Sequence, residues 1–106
     1  MHRADAWDFP KYPGRTVVLR PDADLIAALG SFIVSNTVFL QEENCWLGTW
    51  VHPETGKIYL DVTTSCKSLE AGLRQVARIN SVSKRQIIAM YNSSLGKTLY
   101  LRDNEN

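Results

Sequence analysis

Residues 45–62, CWLGTWVHPETGKIYLDV, constrain the fold of this chain more than any other stretch, because they specify a hairpin and its register together. Proline at 53 fixes φ in the right-handed range, and glycine at 56 supplies the positive φ that closes a loop over residues 53–56. With four residues in the bend, His52 faces Lys57, Val51 faces Ile58, Thr49 faces Leu60 and Leu47 faces Val62, an apolar side suited to packing under helices. The other side pairs Trp50 with Tyr59, Gly48 with Asp61 and Trp46 with Thr63. Hairpins of small domains usually keep one wet face. This one carries large apolar groups on both, so its second face requires a cover.

The flanking sequence supplies the other elements. The first fourteen residues hold Trp7, Phe9 and Tyr12 with Pro10 and Pro13 in neither helical nor strand period. They read as an extended arm, residues 1–14, whose aromatics need a surface. Residues 16–19 form a short β-branched strand. Pro21, Asp22 and Asp24 suit a helix N-terminus, and Leu25, Ile26, Leu29, Phe32 and Ile33 form its expected buried stripe, with Asn36 ending the helix in a left-handed conformation. Residues 37–41 (TVFLQ) read as a strand and 42–44 as a turn. After the hairpin, Ser68 N-caps a second helix to about Asn80, with Leu69, Leu73, Val76 and Ile79 or Asn80 inward. Residues 85–91 (RQIIAMY) and 97–101 (KTLYL) read as closing strands around a turn at 92–96. The pattern β-α-β-β-β-α-β-β predicts an α+β fold: a two-layer, mostly antiparallel sheet of five or six strands with two helices on one face. Residues 15–101 make the single domain and 102–106 a frayed tail.

Composition narrows the function classes. The 106 residues carry a net charge of +1, so any attraction to nucleic acid must come from a local patch. No apolar run approaches the roughly 20 residues that span a bilayer, and residues 1–10 lack a secretory core, which leads to the expectation of a cytoplasmic protein without a membrane partner. Cys45 and Cys66 lack ligand-spaced neighbours and read as reduced and structural; neither a metal site nor a cofactor is expected.

Two clusters carry the candidate chemistry. The first is Trp46, Trp50, Tyr59 and Asp61, a carboxylate over the gap left by Gly48 between two indoles, a shape for a guanidinium, an ammonium or a planar base. Three covers are open for this face: the N-terminal arm, a protein partner including a second copy, or a small ligand or nucleic acid. The second is the basic segment Lys67, Arg74, Arg78, Lys84 and Arg85, set against the single acid Glu70. It is a possible phosphate track, or a solvated helix face in which Glu70 pairs with Arg74. His52, Asp61, Ser65 and Cys66 supply nucleophile-type residues without a glycine-framed serine or cysteine or a phosphate loop, and His52 is placed to bond its own turn. No catalytic residue is assigned.

The run from Gly48-Thr-Trp50 through Gly56-Lys-Ile-Tyr59-Leu-Asp61-Val62, the helix with Ala71 and Leu73, and the strand from Gln86 to Asn92 together resemble short proteins of actinobacterial phages and related mobile elements. Those combine a W…G-x-x-Y-L-D-V hairpin, an alanine-rich helix and an R-N-Q-x-x-I-aromatic strand. The likeness covers about half of the chain, and departs from the pattern at 79–84, which lengthen the link to Arg85, and in the N-terminal third. It implies a viral origin and a fold segment, with no mechanism attached. The expectation is a small non-enzymatic protein that binds a host or phage protein through the aromatic face, or associates with itself as a homodimer. The rival is a nucleic-acid binder or small ribonuclease using the basic segment.

Overall fold

The computed structural model describes residues 6–101. The elements are β1 (Trp7–Pro10), a 3-10 turn (Pro13–Arg15), β2 (Val17–Leu19), α1 (Leu25–Ser35), α2 (Thr37–Leu40), β3 (Trp46–Val51), β4 (Ile58–Cys66), α3 (Leu69–Val82), β5 (Ala89–Asn92) and β6 (Lys97–Tyr100). All strand pairs are antiparallel, and with three helices they make an α+β fold with a six-stranded sheet.

The long strand β4 is the spine. Along one edge it pairs with β3 in the register Trp46↔Thr63, Gly48↔Asp61 and Trp50↔Tyr59, as the four-residue bend dictates. Gly56 takes φ 74°, its N–H donates to His52 O, and the His52 N–H donates to Lys57 O at 2.9 Å. Along its other edge β4 pairs first with β2 (Val17↔Leu60, Leu19↔Ile58) and then with β1 (Phe9↔Thr64, Trp7↔Cys66). Beyond β1 lie β5 and β6.

Alternation along β4 sends Leu60, Val62, Thr64 and Cys66 to one side, and the helices pack there. Under α1, Phe32, Leu60 and Val62 form a buried cluster with Leu19, Leu29, Phe39 and Leu47 around it; under α3, Phe9, Val76, Ile87 and Met90 form another. Both helices begin at a side-chain cap, Asp24 accepting from the Ala27 N–H and Ser68 from the Ala71 N–H. Gly72 lets α3 approach the sheet closely, since a Cβ there would crowd the Met90 methyl.

Several expectations are corrected. The N-terminal arm is not an arm over its described part: Trp7–Pro10 is an interior strand, held by long-range pairing to β4 and β5 that no local period signals. Its first five residues, like the tail 102–106, lie outside the described residues. Of the strand expected at 37–41, Thr37–Leu40 is helical, because Thr37 donates its hydroxyl to Ile33 O at 2.8 Å and the Leu40 N–H reaches Asn36 O at 2.9 Å, carrying the turn onward. Asn36 is not left-handed (φ −120°) but buried, its amide donating to Phe32 O while its Oδ1 accepts from Arg15 Nε at 2.7 Å. The strand expected at 85–91 begins only at Ala89. Ahead of it, Asn80 Oδ1 accepts from the Ile87 N–H at 2.7 Å and Gln86 Nε2 donates to Asn80 O, so the segment is tied to the end of α3. Four inward assignments also fail: Leu25, Ile26 and Ile33 on α1 and Leu73 on α3 are exposed, Ile26 to 83%, the inward side of α1 being Ala28, Leu29 and Phe32.

Candidate functional site: a concave aromatic face

The side of the sheet without helices is strongly curved. From β3 to β6 the path runs through β4, β1 and β5, four strand spacings or roughly 19 Å if flat. Yet the rings of Trp50 on β3 and Tyr100 on β6 stand with centroids 6.2 Å apart. The sheet therefore curls toward itself, and the trough encloses a cavity of 770 Å³, lined by Trp46, Trp50, Tyr59, Asp61, Tyr91 and Arg85 among others.

Trp50 is the hub of this face. Its ring lies 5.2 Å from that of Tyr59 and 5.3 Å from that of His52, both inclined, arrangements that favour aromatic pairs. Trp46 remains 40% exposed. Over its described residues the arm does not cover the face. Trp7 and Phe9 project to the helix side, and Tyr12 packs against Phe39 at 4.8 Å while donating its hydroxyl to Glu42.

At the floor sits Asp61, 9% exposed. The Thr16 hydroxyl donates to its Oδ1 at 2.5 Å. Burial pushes the carboxyl above the ordinary carboxylate range, against the opposing pulls of the Thr16 hydrogen bond and the charge of Arg85. Arg85 acts from a distance, since no ion pair among the described residues joins it to Asp61. One detail of the expected site is corrected: the space above Gly48 does not stand open beside Asp61. Thr63, diagonal to it across the ladder, lays its side chain there, and a Cβ at position 48 would overlap the Thr63 hydroxyl.

The structure thus brings Trp46, Trp50, Tyr59 and Asp61 together and adds Thr16, Tyr91, Tyr100 and Arg85. Sequence pattern did not assign these four to the site because they converge only when β1 enters the sheet and the sheet curls; the alternation of Tyr91 in its strand was the one available signal. The basic segment is not gathered in the same way. Arg74 pairs with Glu70 at 3.2 Å on the exposed side of α3, and of Lys67, Arg74, Arg78, Lys84 and Arg85 only Arg85 lines the cavity.

The nucleophile-type residues are likewise dispersed. His52 Nδ1 accepts from the Glu54 N–H at 3.1 Å, as its place before Pro53 suggested. Asp61 and Cys66 fall on opposite faces of β4 by their parity. Both thiols are free, and burial raises both above the usual thiol range, which disfavours the reactive thiolate. Among the described residues no three His, Cys, Asp or Glu side chains converge on a metal-sized site, and no helix is long and apolar enough to cross a membrane.

No protein-family model, curated protein or solved structure matches this chain.

Proposed function

We propose that this chain is a non-enzymatic binding protein that takes part of a protein partner into the trough of its sheet. The observation that carries the reading is the 770 Å³ cavity, walled by Trp46, Trp50, Tyr59 and Tyr91 with a buried carboxylate at its floor. Clefts of this size and character are what binding sites are made of, and tryptophan and tyrosine are the residues most often found as interface anchors. The hairpin's likeness to short phage proteins favours a host or phage protein in a bacterial cytoplasm as the partner. In the test, immobilised protein is compared with a Trp50→Ala, Tyr59→Ala variant for retention of a stoichiometric partner identified from bacterial lysate. Loss of the partner in the folded variant is expected; equal retention removes the trough from the account.

Self-association is a second reading, and α1 favours it. Ile26 and Val34 are 83% and 78% exposed, on either side of Gly30, whose Cβ position meets nothing within 4 Å. Residues 25–41 contain no charged side chain. Two copies crossing antiparallel at Gly30 would set Ile26 of one against Val34 of the other, the self-complementary pattern that a two-fold interface requires. Solution mass of the native chain and of an Ile26→Glu, Val34→Glu variant decides it: a dimer that the variant reduces to a monomer supports this reading, and a native monomer at high concentration ends it.

A further inference from the structure

We propose that the trough selects a guanidinium group, an arginine side chain of the partner seated against Asp61 with an acidic group beside it facing Arg85. The inference rests on the binding role proposed above and names what that site recognises.

Asp61 lies nine-tenths buried, where a carboxylate is retained at a cost unless donors surround it. An ionised carboxylate has about four acceptor positions, and among the described residues one side-chain donor, the Thr16 hydroxyl, occupies Oδ1. The remaining capacity faces a cavity walled by rings. A group that enters there must bring N–H donors and positive charge and must tolerate aromatic surroundings.

Guanidinium meets these demands better than ammonium. It is planar, presents five N–H donors in a rigid fork, is the more weakly hydrated of the two, and stacks on aromatic faces. Trp50 and Tyr59, which line the cavity with inclined rings 5.2 Å apart, offer surfaces against which such a plane can lie. The cavity is also larger than one side chain needs, which leaves room for the backbone on either side of it.

Arg85 sharpens the prediction. Its charge already acts on Asp61 and opposes the arrival of a bare cation. A segment that carries an acid next to its arginine answers both groups at once, with opposite charges meeting at both ends of the contact.

The test titrates the whole protein with acetyl-Ala-Arg-Glu-Ala-amide and follows tryptophan fluorescence. Two control peptides are used, one with citrulline, the neutral isostere, in place of arginine, and one with glutamine in place of glutamate. Wild type is expected to bind the Arg-Glu peptide about tenfold or more tightly than the citrulline peptide, in the range of a lost charge-assisted bond. Asp61→Asn should erase that preference, and Arg85→Gln should erase the preference for glutamate over glutamine, while both variants melt cooperatively. Equal binding of arginine and citrulline peptides, an unchanged preference in Asp61→Asn, or no saturable signal with the Arg-Glu peptide would each overturn the proposal. Its failure is separable from failure of the binding role itself. An Asp61→Asn protein that still captures the partner lost by the Trp50→Ala, Tyr59→Ala variant leaves the trough as the binding face and removes the guanidinium.

Discussion

Asp61 is a residue whose place in the fold works against its own charge. Burial raises its folded-state pKa above the unfolded value, so the folded chain holds the proton more tightly than the unfolded chain does. The stability this contributes is present in full below the ordinary carboxylate range and is lost as pH rises through the raised value. Asp61→Asn keeps an oxygen to accept from Thr16 and removes the charge. Its Tm is therefore expected to equal or exceed that of wild type at neutral pH, and to lack the wild-type decline, in thermal melts from about pH 3 to pH 8. A lower Tm at neutral pH would make the carboxylate a structural anchor instead. Leucines on the helix side give a second contrast. Leu60 is wholly buried between β2 and β3 beneath α1, and its truncation to alanine should cost about 2 to 5 kcal/mol in denaturant unfolding. Leu73→Ala, at an exposed turn of α3, should cost under about 1 kcal/mol.

Elements were legible in proportion to how locally they are determined. The β3–β4 hairpin was readable to the residue because a four-residue bend and a two-residue side-chain alternation leave one register. The start of α3 was readable from Ser68, a side chain that caps within three residues of itself; α1 was expected with Pro21 in its first turn but begins at Leu25, where Asp24 caps it. Trp7–Pro10 was not, since a proline-bearing tetrapeptide becomes a strand only through partners near the other end of the chain. Residues 37–40 have strand-type composition, yet Asn36 and Thr37 supply the bonds that prolong the helix, and Phe39 and Leu40 complete the cluster under α1. The half of the aromatic site that the hairpin carries could be seen from parity alone, but the occupancy of the Gly48 gap could not. That gap has a testable energetic signature. Gly48→Ala should destabilise by roughly 1 to 3 kcal/mol through collision with Thr63, and in a Gly48→Ala, Thr63→Ala double variant the two costs should fall short of their sum, a coupling of about 0.5 kcal/mol or more. Simple additivity would mean that the two positions do not share that space.

On the scale of the whole molecule, a polar cluster ties the start of the chain to the segment before β3. Lys11 Nζ donates to Glu42 at 2.9 Å and the Tyr12 hydroxyl donates to the same carboxylate at 2.8 Å. The Lys11 and then the Tyr12 hydrogen bond hold the Glu42 carboxyl below its usual range, and bonding to Glu42 raises both donors above theirs. The cluster's contribution is thus complete at neutral pH. It is lost as acid titrates Glu42 through its lowered pKa, and again as alkali titrates Tyr12 and Lys11 through their raised ones. Glu42→Gln should flatten the acid limb of a stability-against-pH curve, opposite in sign to the effect at Asp61, and an unchanged limb would show that the cluster is not coupled to folding.

The strand nearest the amino terminus lies between β4 and β5, and the β5–β6 ribbon joins the rest of the sheet through it. A ribosome therefore delivers this strand before either neighbour: one of its edges waits for β4, more than fifty residues on, and the other until β5 has emerged. Deleting it would split the sheet into a three-stranded piece, β2, β4 and β3, and the β5–β6 ribbon, and open the trough, leaving an intact Trp50 hairpin with no opposite bank.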